Sequence, residues 1–252
     1  MRKFAIIAAK SVLAVVSLAG VALLAFSAWL IWHYEHGIGL PTEAQIAAIS
    51  PAGPACTADP KRNYVALTEI PPLLRNAAIA SEQPDFYDAW SLNPMVEIVL
   101  AIGTGRRPRP GGITQSVGHC LQFLSPEGRR QIDPIASLLF MQRVTRSLSR
   151  DRILEVYLNE NYFGRGAYGV AAGAEVYFGK RLAELDIDEV AYITARARQP
   201  FRSRTFDTRP RDVVIDRMLT AGLISEAEAT PAKSRPLRLK DEPGDQAKPV
   251  NQ

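Results

Sequence analysis

Residues Ile153 to Lys180 read ILEVYLNENYFGRGAYGVAAGAEVYFGK, and this stretch decides the fold. Ile153, Leu154, Tyr157 and Leu158 fall on one side of a helix of period 3.6. Ser149 stands where it can cap that helix. The spacing Gly164-x-Gly166-x-x-Gly169 matches a dinucleotide-binding loop in form. No strand–helix–strand unit surrounds it, so that reading is excluded.

The helical signal extends in both directions. Upstream, Asp133 and Pro134 make an N-cap and first-turn pair. Ile135, Leu138, Leu139, Met141 and Val144 then recur at helical spacing. Downstream, Asp186 and Glu189 form a capping-box pattern before Val190, Ile193 and Thr194. Val213, Val214, Arg217 and Met218 belong to a further helix, stopped at Gly222. Ser225-x-x-Glu228 opens the last helix, and from Pro231 the chain reads as a charged tail. Nearer the N-terminus, Leu73 to Glu82 is a helix following Pro71-Pro72, and Asn63 to Leu67 alternates like a short strand. Gly103 to Gly112 is a basic Pro/Gly-rich loop with Arg106, Arg107 and Arg109. Gly37 to Pro60 is turn-rich and reads as a connector. No internal repeat is found. The expected class is mainly α.

The chain has 252 residues, 47% hydrophobic and 22% charged, with a formal net charge of +4. Setting aside the apolar N-terminus and polar C-terminus leaves roughly 200 residues, the size of one domain with a full core. Two cysteines and three histidines argue against a disulfide scaffold and a structural zinc site. Cys56 and Cys120 allow a single pairing; two unpaired thiols are the slightly preferred reading.

Ser11 to Trp32 carries no charged residue and is long enough to cross a bilayer as a helix. Arg2, Lys3 and Lys10 precede it, and no Lys or Arg follows until Lys61. The positive-inside rule places the N-terminus in the cytoplasm and the domain outside. Trp29, Trp32 and Tyr34 sit at the expected interfacial belt. A cleaved signal with Ala25-Phe26-Ser27 as its site is the weaker reading, because the apolar run exceeds a signal core. The basic balance does not imply nucleic acid, since no binding motif accompanies it.

The segments AAIASEQPDF (77–86), GGITQS (111–116), SRDRILEVYLN (149–159) with its continuation to Lys180, and VIDRMLTAGLISEAEA (214–229) together resemble the family 51 glycosyltransferases. These are the domains that polymerise peptidoglycan glycan strands from lipid II. The resemblance spans about Asn63 to Glu228. It implies a mainly α, lysozyme-like glycosyltransferase domain with an N-terminal transmembrane helix. The implied layout is a cytoplasmic N-terminus and anchor (1–36), a connector (37–62), the glycosyltransferase-like domain (63–230) and a flexible tail (231–252). It is the layout of a monofunctional member, without the transpeptidase domain that larger members carry.

The resemblance carries over residue by residue. In the first motif, Glu-Asp-x-x-Phe-x-x-His-x-Gly, the base position is Glu82 and the aromatic position is Phe86. The Asp, His and Gly positions hold Gln83, Ala89 and Ser91; Asp85 is nearby but out of register. The second motif, Gly-Gly-Ser-Thr-Ile-Thr-Gln-Gln, lacks its Ser-Thr pair, since Gly112 runs directly into Ile113, Thr114, Gln115 and Ser116. His119 stands at its Lys position. The third, Arg-Lys-x-x-Glu, falls without gaps at Asp133 to Ser137 and loses its charges. A register shifted by four residues gives Arg129, Arg130 and Asp133, where Asp133 is either a displaced acid or a helix cap. The fourth keeps Glu155, Tyr157 and Asn159, with Arg150 in place of Lys. The Arg-Arg pair of the fifth reads Pro210-Arg211.

By this resemblance Glu82 is the catalytic base, and Phe86, Thr114, Gln115, Arg129, Arg130, Arg150 and Glu155 meet substrate. Extending a glycan needs a base for the acceptor hydroxyl and cationic donors for the departing pyrophosphate. Implied partners are lipid II, nascent glycan, the cytoplasmic membrane and other cell-wall synthases. No cofactor or metal ligand set is identified beyond a possible divalent cation. Because the losses concentrate in the cleft motifs, two expectations stand side by side: a polymerising enzyme, and a non-catalytic relative that binds lipid II, glycan or a synthase.

Overall fold

The computed structural model of the chain describes residues 2–33, 39–49, 63–88, 103–104, 112–122, 124, 134–198 and 208–240. Its elements run α1 (Arg2–Trp32), α2 (Glu43–Ala47), α3 (Pro72–Glu82), α4 (Ile113–Gln122), α5 (Pro134–Ser147) and α6 (Arg150–Glu160). A hairpin of β1 (Tyr162–Gly164) and β2 (Ala167–Tyr168) follows, then α7 (Val170–Phe178), α8 (Ile187–Arg198), α9 (Arg209–Thr220) and α10 (Glu226–Ser234). The fold is mainly helical, as expected.

α1 stands apart from the rest. Its stretch Leu13–Trp32 has a mean hydropathy of 2.3, and none of it is buried within the chain. A helix of this length and composition is long and apolar enough to cross a membrane.

The domain is built from two packed groups. α3, α8 and α9 pack on one another, with α10 closing against α8 and α9. α4 packs between α5 and α6, and α2 lies on α5. One continuous core joins them, from Leu74, Ala77 and Ala78 through Val117, Leu121 and Phe140 to Ile193, Ile215 and Met218.

α6 behaves as its sequence predicts. Ser149 accepts a hydrogen bond from the Arg152 amide at 3.2 Å and caps it. Its four expected apolar residues are buried, but so are Val156, Asn159 and Glu160, so the helix is enclosed almost all round. In α5 the observed core face is Ala136, Phe140 and Val144, continued by Leu148. Only Val144 belongs to the expected set; Leu139 and Met141 are half-buried, and the side chains of Ile135 and Leu138 lie outside the described residues. The i, i+4, i+8 row wins because α5 is covered on one side by α2 and on another by α4.

The glycine-rich stretch is a hairpin, not a phosphate loop. Tyr162 pairs with Tyr168 and Gly164 with Ala167. The two turn residues, Arg165 and Gly166, both have positive φ (51° and 74°), as a two-residue hairpin turn requires. Gly169 returns the chain to α6 at φ 84°, where a Cβ would lie 2.6 Å from the Asn159 carbonyl oxygen. Only glycine fits so close an approach.

Three segments differ from expectation. Asn63 to Leu67 forms no strand. Instead Asn159 substitutes for a partner strand: its Oδ1 accepts from the Val65 amide at 2.8 Å and its Nδ2 donates to the Val65 carbonyl at 2.9 Å. Part of the segment read as connector is packed structure. α2 carries a capping box at Thr42 and Gln45, and Leu40, Ile46 and Ile49 are buried. Arg143 fixes this segment by donating to the Pro41 carbonyl at 2.8 Å. The stretch from Pro231, read as a charged tail, is packed structure as far as Lys240. α10 continues through Pro231 to Ser234, and Lys240 donates its backbone amide to Tyr177 at 2.7 Å. Charge alone misread this stretch, because its cations find fixed partners: Arg235 with Asp188 at 2.7 Å and Lys240 with Glu175 at 2.8 Å.

Cys120, on α4, is disulfide-bonded, which corrects the preference for two unpaired thiols. Disulfides of this kind persist in oxidising compartments.

Candidate active site

α3 ends in a row of small residues, Ala77, Ala78, Ala80 and Ser81, all buried. They let the helix approach α8 and α9 closely. The helix stops where Gln83 leaves helical geometry (φ −152°, ψ 80°), as a residue before proline tends to do. Glu82 is thus delivered at the helix end, with its side chain 6% exposed.

Two side chains hold the Glu82 carboxylate. Arg198 of α8 donates through Nε to Oε2 at 3.1 Å, and the Ser81 hydroxyl donates to Oε1 at 3.3 Å. Ser81 is itself fixed by Arg217 of α9, which donates to the Ser81 carbonyl at 2.6 Å and to its Oγ at 3.2 Å. Burial pushes the Glu82 carboxyl above the ordinary range, and the Arg198 charge and the Ser81 hydrogen bond pull against it. Tyr157 lies within electrostatic reach. Its phenol is pushed well above its usual value, first by complete burial and then by the Glu82 charge. A carboxylate raised toward neutrality is suited to accept a proton.

Gln83 joins this point to the second helix group. Its Oε1 accepts from the Thr114 amide at 3.4 Å and the Thr114 hydroxyl at 3.3 Å. A Cβ at Gly112 would approach the same oxygen to 3.2 Å. The replacement Gln83 therefore docks the start of α4 beside Glu82. Thr114 is buried here. Gln115 is exposed on α4 and contacts the His119 ring at 3.4 Å.

Of the remaining expected site residues, Phe86, Arg150 and Glu155 make contacts within the fold. Phe86 is fully buried and meets Tyr87 edge-on at 5.1 Å. Arg150 donates to the Phe86 carbonyl at 2.7 Å, bracing the turn that follows Glu82. Tyr87 donates to Asp151 at 2.8 Å, and burial with that contact pushes its phenol up to about 12. Glu155 accepts from the Tyr64 hydroxyl at 2.8 Å and the Leu67 amide at 3.2 Å, and it pairs with Arg152. Arg152 in turn donates to the Ile49 carbonyl. Glu155 thus ties the two segments before α3 onto α6. Arg211, from the fifth motif, is fully buried and donates to the Lys233 and Arg235 carbonyls at 2.6 and 2.9 Å. Arg129, Arg130 and Asp133 lie outside the described residues, as do Ala89, Ser91, Arg106, Arg107 and Arg109. Among the described residues no group of three or more His, Cys, Asp or Glu gathers as a metal site.

Arg198 and Arg217 are the site residues that the sequence reading missed. Arg198 reads as one of a run of surface arginines. The signal that finds it is positional: it continues the stripe of Val190, Ala191, Thr194 and Ala195, all buried on α8. Arg217 continues the stripe of Val214 in the same way.

The chain is similar to known proteins. Residues 51–219 match the family model described as Transglycosylase. Penicillin-binding protein 1A of Aquifex aeolicus is 36% identical over 191 residues, covering 72% of this chain and 26% of that protein. Penicillin-binding protein 1A of Escherichia coli is 34% identical over 177 residues, covering 67% of this chain and 21% of that protein. The chain therefore spans about a quarter of the length of such relatives. The crystal structure of penicillin-binding protein 1A from Haemophilus influenzae matches with a TM-score of 0.42 at 23% identity, covering 71% of this chain and 18% of that one. Residues 51–219 contain α3, α4, α5, α6, the hairpin, α7, α8 and nearly all of α9, and by its match to that family model the chain belongs to the transglycosylase family.

Proposed function

We propose that the chain is a membrane-anchored peptidoglycan glycosyltransferase-like protein that extends glycan strands from lipid II. The observation that carries the reading is Glu82: a carboxylate at a helix end, held by Arg198 and Ser81 and raised by burial. In the proposed step the acceptor sugar hydroxyl attacks the anomeric carbon of the lipid-linked donor. Glu82 takes the hydroxyl proton as the new glycosidic bond forms. The bond from the anomeric carbon to the diphosphate oxygen breaks, and the lipid diphosphate leaves with that electron pair. α1 would hold the domain beside its substrate. The basic N-terminus of α1 supports a cytoplasmic start, and the disulfide at Cys120 supports an outer, oxidising location for the domain.

A second reading is favoured by a specific observation. Arg150 and Glu155, both expected at substrate, make hydrogen bonds within the fold, Arg150 through Nη1 to the Phe86 carbonyl and Glu155 to the segment before α3. A relative that keeps the fold and binds lipid II or a cell-wall synthase without turnover fits that pattern. One assay separates the two. The full-length protein in detergent is incubated with lipid II and a divalent cation. Glycan polymer that disappears in Glu82→Gln supports the enzyme. Saturable lipid II binding without polymer supports the non-catalytic relative and overturns the enzyme.

A further inference from the structure

Ser81 is 4% exposed and stands between an arginine and the Glu82 carboxylate. Arg217 of α9 reaches it with one nitrogen, Nη1, which donates to the Ser81 carbonyl at 2.6 Å and to its Oγ at 3.2 Å. A guanidinium only donates, so Oγ is the acceptor in that contact. The hydroxyl keeps its own proton to give, and it gives it to Glu82 Oε1 at 3.3 Å. The donors therefore run one way, from Arg217 through Ser81 to Glu82. The bond to the Ser81 carbonyl also satisfies the last turn of α3, so the same arginine fixes the backbone that carries Glu82.

The two oxygens of Glu82 are held unequally. Oε1 is held by the buried Ser81. Oε2 is held by Arg198, the last residue of α8, whose side chain is 43% exposed. Ser81 needs a lone pair on Oε1 whether Glu82 is charged or neutral. A proton that lands on Oε2 leaves that bond intact, and one that lands on Oε1 weakens it.

We propose that Ser81 and Arg217 are positioning residues that make Oε2 of Glu82 the atom that accepts the proton. The proposal rests on the glycan-transfer reading for the source of that proton. The acceptor O–H bond breaks and its proton goes to Oε2, while the oxygen's electron pair forms the bond to the anomeric carbon and the diphosphate leaves with the pair of the old bond. Arg198 gives up its place on Oε2 as the hydroxyl arrives.

The charged and titratable groups that act on Glu82 are Arg198 from α8, Arg217 from α9 and the Tyr157 phenol from α6. Burial raises the Glu82 carboxyl, and the Arg198 charge and the Ser81 hydroxyl draw it back. A hydrogen bond to a carboxylate favours its charged form, so removing the hydroxyl moves proton uptake to higher pH.

The test uses the full-length protein in nonionic detergent, with glutamate labelled at the side-chain carboxyl carbon. The Glu82 signal is the one that Glu82→Gln removes, and carbon NMR follows its titration. Ser81→Ala should raise the midpoint by about half a pH unit or more, and Ser81→Thr, which keeps the hydroxyl, should restore it. Arg217→Gln should also raise it, and by less in the Ser81→Ala background than alone, because part of its effect passes through the hydroxyl. If Arg217→Gln does not fold by circular dichroism, Arg217→Lys takes its place in both backgrounds. With lipid II as substrate, Ser81→Ala should lower kcat about tenfold with KM changed less than about twofold, and should move the acid limb of the kcat profile to higher pH. Ser81→Thr should recover both. A midpoint that Ser81→Ala does not move overturns the relay, and so do equal effects of the Arg217 variant in the two backgrounds. A moved midpoint with unchanged kcat and pH profile overturns the positioning role. Absence of polymer from the parent protein is the failure of the functional reading, and the titration then decides the relay alone.

Discussion

At Glu82 the helix end, the ion pair and the burial act on one carboxyl, and their balance has a consequence for stability. Burial is the largest influence and raises the group; Arg198 and Ser81 only offset it. A carboxyl raised in the folded state binds its proton more tightly there than in the unfolded chain. Its contribution to stability is thus full at low pH. It is lost as pH rises from the ordinary glutamate range through the raised folded value. Glu82→Gln removes that loss. Its melting temperature should match the parent's near pH 4 and exceed it progressively toward pH 7, as read by calorimetry across that range. An equal offset at every pH would show that the carboxylate is not held against its burial. The position of Glu82 was legible in the sequence, because motif spacing locates a helix end. Its partner was not. Arg198 lies 116 residues away, and no local pattern links two residues that only tertiary packing brings together. Gln83 is a similar case: it reads as a lost acid, and the structure gives it the work of docking Thr114.

α6 shows at the level of an element what periodicity reveals and what it leaves out. The apolar face and the Ser149 cap follow from spacing and propensity alone. The polar residues of the same helix do not, because their partners lie in segments without regular structure. Asn159 is the sharpest instance. It is 2% exposed, pairs with both backbone groups of Val65, and donates to the Glu155 carbonyl at 2.9 Å. An alternating Asn63–Leu67 suggested a strand because its backbone needs partners, and an amide side chain supplies them instead. Replacing Asn159 by Ala leaves the Val65 amide and carbonyl without that partner. At about 1–3 kcal/mol for each unsatisfied group, the cost should be about 3 kcal/mol in chemical denaturation. Hydrogen exchange at the Val65 amide should accelerate more than at Ile153 or Leu154. A uniform acceleration would mean that Asn159 serves the helix and not the segment before α3. The disagreements at α2 and at Pro231–Lys240 have the same origin. Turn-rich or charged composition marks a segment as polar, but docking is decided by specific contacts such as Arg143 to Pro41 and Lys240 to Tyr177.

Across the whole molecule, the apolar surface is divided between two solvents. The domain buries its large side chains in one core, while α1 exposes Leu13, Leu18, Leu23 and Leu24 by 66–72%. A helix rising about 1.5 Å per residue spans about 30 Å over the 20 residues from Leu13 to Trp32, the thickness of a hydrocarbon core. At about 25 cal/mol per Å² of apolar surface, such a helix gains far more from lipid than any contact the domain offers it. Since none of that stretch is buried within the chain, the two parts should be energetically separable. Deleting residues 1–33 should therefore abolish flotation with phospholipid vesicles while leaving the melting temperature of the domain within about 2 °C, a shift of at most about 1 kcal/mol for a domain of this size. A larger fall would mean that α1 braces the α2–α5 contact from outside. Persistent flotation would locate membrane affinity in the domain itself, and the exposed Tyr87 and Val213, both near the Glu82 end, would be the first side chains to replace.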